Sequence, residues 1–108
     1  MKKSPIPTTT RQAFKILDDL TTPEEKAQFL SQSKHEFVID QHFGLGMWIR
    51  NNWIYGPEKE TAEESERREL CIKMLAGNQY YEFISCNPDM ITGEFLARYY
   101  DHLKRKKN

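Results

Sequence analysis

The stretch HFGLGMWIRNNW, residues 42–53, dominates the fold prediction because no other part of the chain is so dense in unusual residues. Its two tryptophans predict anchors of a hydrophobic core, since each indole removes a large apolar area from water when it is buried. Gly44 and Gly46 mark a place where a helix ends or bends, because glycine tolerates positive φ and close backbone approach. We therefore expect one helix to end near the glycines and a further short helix to follow in residues 47–53.

Helix-start signals lie upstream of this block. Thr22, Pro23 and Glu25 fit an N-cap, a first helical residue and the closing residue of a capping box. Ser33 and Glu36 repeat the capping-box spacing, so a further helix is expected to begin near residue 34. That helix should carry three apolar side chains inward: Phe37, Val38 and Phe43. An earlier helix from residue 10 is predicted by apolar residues at helical spacing: Phe14, Leu17 and Leu20.

Two longer helices are predicted downstream of the block. Residues 59–76 place glutamates four positions before arginine or lysine, the order that stabilises a helix. Asn87 and Pro88 fit the N-cap and first residue of a last helix that runs to about residue 104. Residues 79–84 between them fit either a helical turn or a short strand. The predicted fold class is therefore mainly α, a single compact domain of five or six short helices.

The bulk properties of the chain limit its domain count and compartment. Its 108 residues are the size of one ordinary domain. We expect an extended N-terminal arm at 1–8, the helical domain at 9–104 and a basic tail at 105–108. No apolar run approaches the ~20 residues needed to span a bilayer, and the basic start lacks the apolar segment of a signal peptide. Two cysteines do not make a secreted disulfide framework, so a cytoplasmic location is expected.

The charge composition argues against a dedicated nucleic-acid binder. Lys plus Arg and Asp plus Glu each number 16, so the formal net charge is zero, whereas nucleic-acid affinity rests largely on neutralising phosphates. Segment 58–69 is nevertheless acidic, with six glutamates against three basic residues. It fits either a solvated helix neutralised by its own ion pairs or a surface for a basic partner. The candidate partner-binding residues are Glu60, Glu63, Glu64 and Arg67.

The block at 42–53 supports two interpretations. A Gly-x-Gly turn that leads into a helix can present backbone N–H groups to an anion, which Arg50 would then clamp with two hydrogen bonds. Alternatively, the glycines allow close helix packing, and the polar side chains cap neighbouring backbone ends. The turn lacks the Lys-Ser/Thr pair of a P-loop, and both interpretations stay open. The candidate ligand-binding residues are His42, Gly44, Gly46, Arg50, Asn51, Asn52 and Asp89.

The sequence contains no assembled catalytic or metal-binding motif. His35 and His42 lie seven positions apart, whereas helical metal ligands need a spacing of three or four. Cys71 is expected inside a helix, where no base is placed to activate its thiol. Acid–base catalysis by Asp89 with a histidine has no positive support in the sequence. We therefore predict no catalytic residue, no metal site and no cofactor.

Two stretches resemble the pattern of a known family. HFGLGMWIRNNW, and further along the chain NPDMITG (87–93) ahead of a helix with Tyr99, are similar to two blocks of a family of small bacterial domains of unknown function. Those blocks read H-F-G-L-G-x-W-I-R-N-N-W and P-D-x-[MI]-[ST]-G. The resemblance covers most of the chain, although segment 58–69 departs from it. It implies a bacterial, mostly helical, cytoplasmic domain and no particular activity.

The function favoured by these features is non-enzymatic protein binding in the bacterial cytoplasm, for example as an immunity or antitoxin-type inhibitor. Small size, the lack of a catalytic motif and the polarised acidic helix motivate this hypothesis. The alternative is a small anionic ligand-binding or enzymatic site built around His42, Arg50, Asn51 and Asn52. The expected partner is a protein, with no membrane and no nucleic acid.

Overall fold

Helices make up most of the residues that the computed structural model describes, which are 6–77 and 87–107; no strand occurs in these ranges. The helices are α1 (Thr10–Leu20), α2 (Pro23–Leu30), α3 (Lys34–Asp40), α4 (Leu45–Ile49), α5 (Ala62–Ala76) and α6 (Pro88–Lys107). α4 continues directly into a π-helical turn, Arg50–Ile54. The prediction of a mainly α, single compact domain is confirmed. The predicted turn or strand at 79–84 lies outside the described residues.

Short polar side chains fix the starts of the helices. The two predicted capping boxes form, one between Thr22 and Glu25 and one between Ser33 and Glu36. In each box the hydroxyl accepts the N3 backbone N–H while the glutamate accepts the N-cap N–H, which satisfies two otherwise unpaired donors. Thr61 caps α5 in the simpler way, by accepting a backbone N–H, and so starts this helix slightly later than predicted.

α6 is the central helix of the domain. It packs against α2, α3, α4, the π-turn and α5, and so one long element carries most of the core. α1 joins this core through Phe14, whose ring centroid lies 5.5 Å from that of Phe95. α6 has 20 residues, yet neither it nor any other described helix is apolar enough to cross a membrane. Its buried residues are Ile91, Thr92, Phe95, Leu96, Tyr99, Tyr100 and Leu103.

The prediction that Phe43 points into the core is wrong. Phe37 is completely buried and Val38 packs against the core, but Phe43 is 74% exposed. α3 ends at Asp40, and the chain turns before α4 begins. The helical spacing that would have placed Phe43 on the inner face of α3 therefore does not extend to its position.

Candidate functional site

Arg50 connects the end of α4 to the start of α6. We call its contacts with His42, Thr92 and Asp89 the Arg50 joint. Its side chain is only 7% exposed. Nη1 donates to Thr92 Oγ1 at 2.9 Å, and Nη2 donates to the His42 carbonyl oxygen at 2.7 Å. Nε lies 3.5 Å from a carboxylate oxygen of Asp89. Because a buried guanidinium is costly unless it is paired, these contacts hold the turn before α4 and the first turn of α6 in one arrangement.

The Thr92 hydroxyl completes this joint inside the first turn of α6. It accepts the Arg50 hydrogen bond, and its own proton is directed to the carbonyl of Pro88 at 2.9 Å or of Asp89 at 3.1 Å. Thr92 is 1% exposed, so this hydroxyl has no access to a ligand. The two sequence blocks that carry the family resemblance are therefore joined to each other through the side chains of Arg50 and Thr92.

Gly46 is where the two blocks approach most closely. Its N–H donates to the carbonyl oxygen of Gln41 at 2.8 Å. A Cβ atom on Gly46 would lie 2.9 Å from that oxygen, 3.2 Å from Arg50 Nη1 and 3.5 Å from a methyl group of Leu96. Close packing around Arg50 therefore requires a glycine at position 46. The N–H of Gly46 is already bonded to Gln41 and so is not offered to a ligand.

His42 and Asp89 form the solvent-facing side of the same joint. The Nε2 atom of His42 lies 4.0 Å from a carboxylate oxygen of Asp89, and the two side chains are 37% and 64% exposed. An imidazole and a carboxylate at this distance could exchange a proton with a bound molecule. The guanidinium donors of Arg50 that would hold such a molecule are directed at protein groups instead. The structure thus brings His42, Arg50 and Asp89 together, with Gly46 beneath them.

The other ligand-site candidates lie apart from this cluster. Gly44, the N-cap of α4, is exposed and lies against the side chain of Gln41. Asn52 donates from Nδ2 to the Trp48 carbonyl at 2.8 Å, which closes one turn of its own helix. Asn51 and Asn52 both line a groove between the π-turn and α5. The groove that contains Asn51 and Asn52 is lined by none of the other five candidates, so the seven residues do not converge there.

Glu60 forms an ion pair inside the domain and is not free to bind a partner. Its carboxylate lies 2.8 Å from Arg68 Nε, and both side chains are largely buried, at 13% and 12% exposure. Arg68 Nη1 also donates to the Asn52 carbonyl at 3.3 Å, so Arg68 ties α5 to the π-turn. Gly56 packs against this ion pair. Arg68 thus pairs with Glu60 rather than with Glu64, the partner that i, i+4 spacing suggests.

Two clefts that share lining residues lie along α5, and we call them together the α5 groove. One part, of about 860 Å³, lies between α5 and the π-turn; the other, of about 640 Å³, lies between α5 and α1. Ile6, Glu63 and Arg67 line both parts. Glu64 lines the first part only. Three of the four predicted partner-binding residues therefore lie in this groove. Within residues 6–77 and 87–107, Arg67 forms no ion pair.

The apolar residues of the groove were missed by sequence reasoning. Leu70 is 52% exposed and lines the part next to α1, and Tyr55 is 50% exposed and lines the part next to the π-turn. Leu70 stands with Met74 and Leu75 on the apolar side of α5, and such a stripe is typical of buried residues. Tyr55 directly follows the π-turn, whose extra residue per turn is not visible in a sequence pattern. The signal that could have found Leu70 is its place directly after four charged residues, 66–69; no sequence pattern marks Tyr55.

A second polar cluster, which the sequence did not indicate, joins α1 to the end of α6. Asp18 accepts hydrogen bonds from Tyr99 at 2.9 Å and from Lys106 at 3.2 Å, and its other partner is His102 Nε2 at 3.1 Å. Burial raises the pKa of the Asp18 carboxyl, but the hydrogen bonds from His102, Tyr99 and Lys106 outweigh it and leave that pKa below its ordinary value. Burial is also the main reason why the pKa of Tyr99 is raised.

The chemistry available to the remaining candidate nucleophile and metal ligands is limited. Cys71 is buried, and desolvation raises the pKa of its thiol to about 12, so the reactive thiolate is scarce at neutral pH. In the described part of the chain, no group of three or more histidine, cysteine or acidic side chains is placed to hold a metal ion.

Comparison with known proteins supports the resemblance in one respect, that the chain contains a domain of unknown function. No curated protein and no solved structure matches the chain. A family model for a domain of unknown function, DUF6794, matches residues 6–69. The matched range contains the 42–53 block, the Arg50 joint on its α4 side and most of the α5 groove, and it ends before the second block. It covers more than half of the chain, which therefore belongs to the family of the domain of unknown function DUF6794.

Proposed function

We propose that this protein is a non-enzymatic binding domain whose protein partner docks in the α5 groove. The observation that carries the proposal is the combination of half-exposed apolar side chains with charges that form no ion pair among residues 6–77 and 87–107. Leu70 and Tyr55 offer apolar area in the two parts of the groove. Protein interfaces commonly combine such an apolar centre with a polar rim.

The charges around the groove indicate a partner with a basic surface. Arg68 and Glu60 neutralise each other, so they contribute little to the outward field. Among the described residues, the other charged groups that line the groove are four acidic side chains, against two basic ones. Complementary charge on the partner would speed its association and make the association rate sensitive to salt. The acidic residues are Asp19, Glu63, Glu64 and Glu66, and the basic ones are Lys15 and Arg67.

Within this proposal, the partner class we favour is a basic enzyme that the domain inhibits, in the manner of an immunity or antitoxin-type protein in the bacterial cytoplasm. A chain of 108 residues with an acidic docking groove and no assembled catalytic motif supports such a role. An inhibitor needs only a complementary surface, which the α5 groove supplies. The association with a basic enzyme should weaken as the salt concentration rises.

The alternative function, binding or turnover of a small anion, has less support. The guanidinium donors of Arg50 are directed to Thr92, His42 and Asp89, and a ligand would have to displace one of these partners. Asn51 and Asn52 line the α5 groove instead. What remains for such a site is the exposed pair of His42 and Asp89.

A photo-crosslinking amino acid at position 70, in cells that produce the protein natively, would identify the partner, and the purified pair can then be titrated by calorimetry. We expect Leu70→Glu to weaken binding by about 10-fold to 100-fold, the range for a residue near an interface centre. The matched control is Leu20→Glu, because Leu20 is 48% exposed and lines neither part of the groove. Equal weakening by both variants, or none by Leu70→Glu, would contradict the proposal.

A further inference from the structure

The end of α3 meets the start of α6 at an exposed edge of the domain. Three contacts show that these helices run antiparallel. Lys34 lies 3.0 Å from the Asp101 carboxylate, Gly93 faces Val38, and His42 lies 4.0 Å from Asp89. Residues near position 42 and residues near position 89 therefore lie side by side.

Three large apolar side chains are exposed at this edge. Ile39 is 62%, Phe43 is 74% and Met90 is 53% exposed. The ring of Phe43 lies edge-on against the ring of His42, at 4.7 Å between centroids. Met90 lies one helical turn before Gly93, on the side of α6 that faces α3. Together with the His42–Asp89 pair, these three residues are the Phe43 patch. Several large apolar side chains exposed along one edge are typical of a surface that another molecule covers.

The Phe43 patch is held in one conformation by the rest of the domain. The N–H groups of Gly44 and Gly46 both donate to the Gln41 carbonyl, at 3.1 and 2.8 Å. Arg50 holds the His42 carbonyl from inside the protein. A surface that is already ordered loses little conformational entropy when it is covered, which favours association.

We propose that the Phe43 patch is the interface of a two-fold homodimer, in which a second copy of this chain covers it. In a two-fold interface, residue i of one protomer contacts residue j of its partner, and j contacts i. The polar groups of such a patch must therefore be able to bond to each other across the two-fold axis. His42 offers an imidazole N–H donor and Asp89 a carboxylate acceptor, and each would face the other residue of the second copy. The zero net charge of the chain removes long-range repulsion between copies.

The dimer proposal is independent of the proposed binding function. The Phe43 patch comprises Ile39, His42, Phe43, Asp89 and Met90, and none of these residues lines the α5 groove. A dimer that forms through the patch would use no residue of the groove, so the α5 groove of each copy would stay available to a partner. Loss of partner binding and loss of dimerisation should therefore follow from different substitutions.

The first test is sedimentation equilibrium of the full chain from about 5 to about 500 µM, which spans the dissociation constants of weak, small interfaces. We expect a monomer–dimer equilibrium whose dissociation constant Phe43→Glu raises by at least about 30-fold. The matched control is Leu70→Glu, which adds the same charge on α5 and should leave the dimer unchanged. A chain that stays monomeric throughout, or a dimer that Phe43→Glu does not weaken, would overturn the proposal. So would equal weakening by Leu70→Glu.

A charge exchange tests the pairing between copies, because mixing two variant chains cannot repair a loss of stability within either chain. His42→Asp should weaken the homodimer because two carboxylates would then face each other. Asp89→Lys should also weaken it, since a lysine would face His42. An equimolar mixture of the two variant chains should restore a dimer, because the two substituted positions then face each other with opposite charges and the other two positions keep the native pairing of His42 with Asp89. Failure of the mixture to associate better than either variant alone would overturn the two-fold arrangement.

Discussion

Replacement of Gly46 by alanine tests whether close packing around Arg50 holds α4 against α6. The added Cβ would lie 2.9 Å from the Gln41 carbonyl oxygen, closer than real Cβ contacts, and 3.2 Å from Arg50 Nη1. The carbonyl belongs to the backbone, which already accepts the Gly46 N–H at 2.8 Å, so relief requires the turn itself to move. Arg50 would then lose the alignment of its hydrogen bonds to His42 and Thr92.

The expected cost follows from three contributions. Overpacking of a buried site costs about 1–3 kcal/mol, and a disturbed hydrogen bond of a charged group costs about 1.5–3 kcal/mol. Alanine gains back about 0.5–1 kcal/mol over glycine in a helix. We expect Gly46→Ala to lower the free energy of unfolding by about 1.5–5.5 kcal/mol. For a domain of this size, each kcal/mol corresponds to about 4 °C or more in Tm.

Urea unfolding followed by tryptophan fluorescence measures this change, because Trp53 is completely buried and its environment reports on the joint. The matched control is Gly93→Ala, also in a helix beside the joint. Its Cβ would meet only a methyl group of Val38, at an ordinary 3.7 Å. This control should be neutral or more stable by up to about 1 kcal/mol. A Gly46→Ala protein within about 0.5 kcal/mol of the wild type, or equal losses in both variants, would refute the reasoning.

Three further predictions concern other contacts of the fold. Arg98 donates to the carbonyls of Met74 and Leu75 at the end of α5, so Arg98→Met should lower the free energy of unfolding in urea by about 1–3 kcal/mol. The control is Arg105→Met at an exposed position, and equal losses in both variants would contradict this role of Arg98. The pKa of Asp18 is lower in the folded state than in the unfolded chain, so its contribution is present above about pH 4 and is lost as pH falls through the folded value. The stability difference between wild type and Asp18→Asn should therefore be largest near neutrality and shrink below about pH 4; a difference that is constant with pH would count against the network. In a Cys86→Ser background, Cys71 should react with a thiol reagent only as urea unfolds the chain, because burial raises its pKa to about 12; prompt labelling in native buffer would show that the thiol is accessible.

Local signals in the sequence predicted the helix starts well. Thr22 with Glu25 and Ser33 with Glu36 act within four residues, so their hydrogen bonds depend on little besides the local chain. Phe43 shows the limit of this reasoning. The direction of Phe43 depends on where α3 ends. That end is followed by a turn whose His42 carbonyl accepts a hydrogen bond from Arg50, a residue of the π-turn after α4.

Contacts between distant parts of the chain could not be read from the sequence. Tyr99 and Lys106 lie 81 and 88 residues from Asp18, and no spacing rule links such positions. The candidate site was affected in the same way. His42, Arg50 and Asp89 do meet, but a list of polar residues could not tell that the guanidinium faces inward. Only the packing of α6 against α4 determines that direction.

The π-helical turn at Arg50–Ile54 accommodates one extra residue at the end of α4. Its backbone bond runs from the Tyr55 N–H to the Arg50 carbonyl, at 2.8 Å, and so encloses one residue more than an α-helical turn. Removal of one residue here would restore an α-helical turn with little rotation of the residues beside it. The same deletion inside α5 would rotate every later side chain of that helix by about 100°. The loss of one residue is therefore better tolerated at this turn than within a regular helix of the domain.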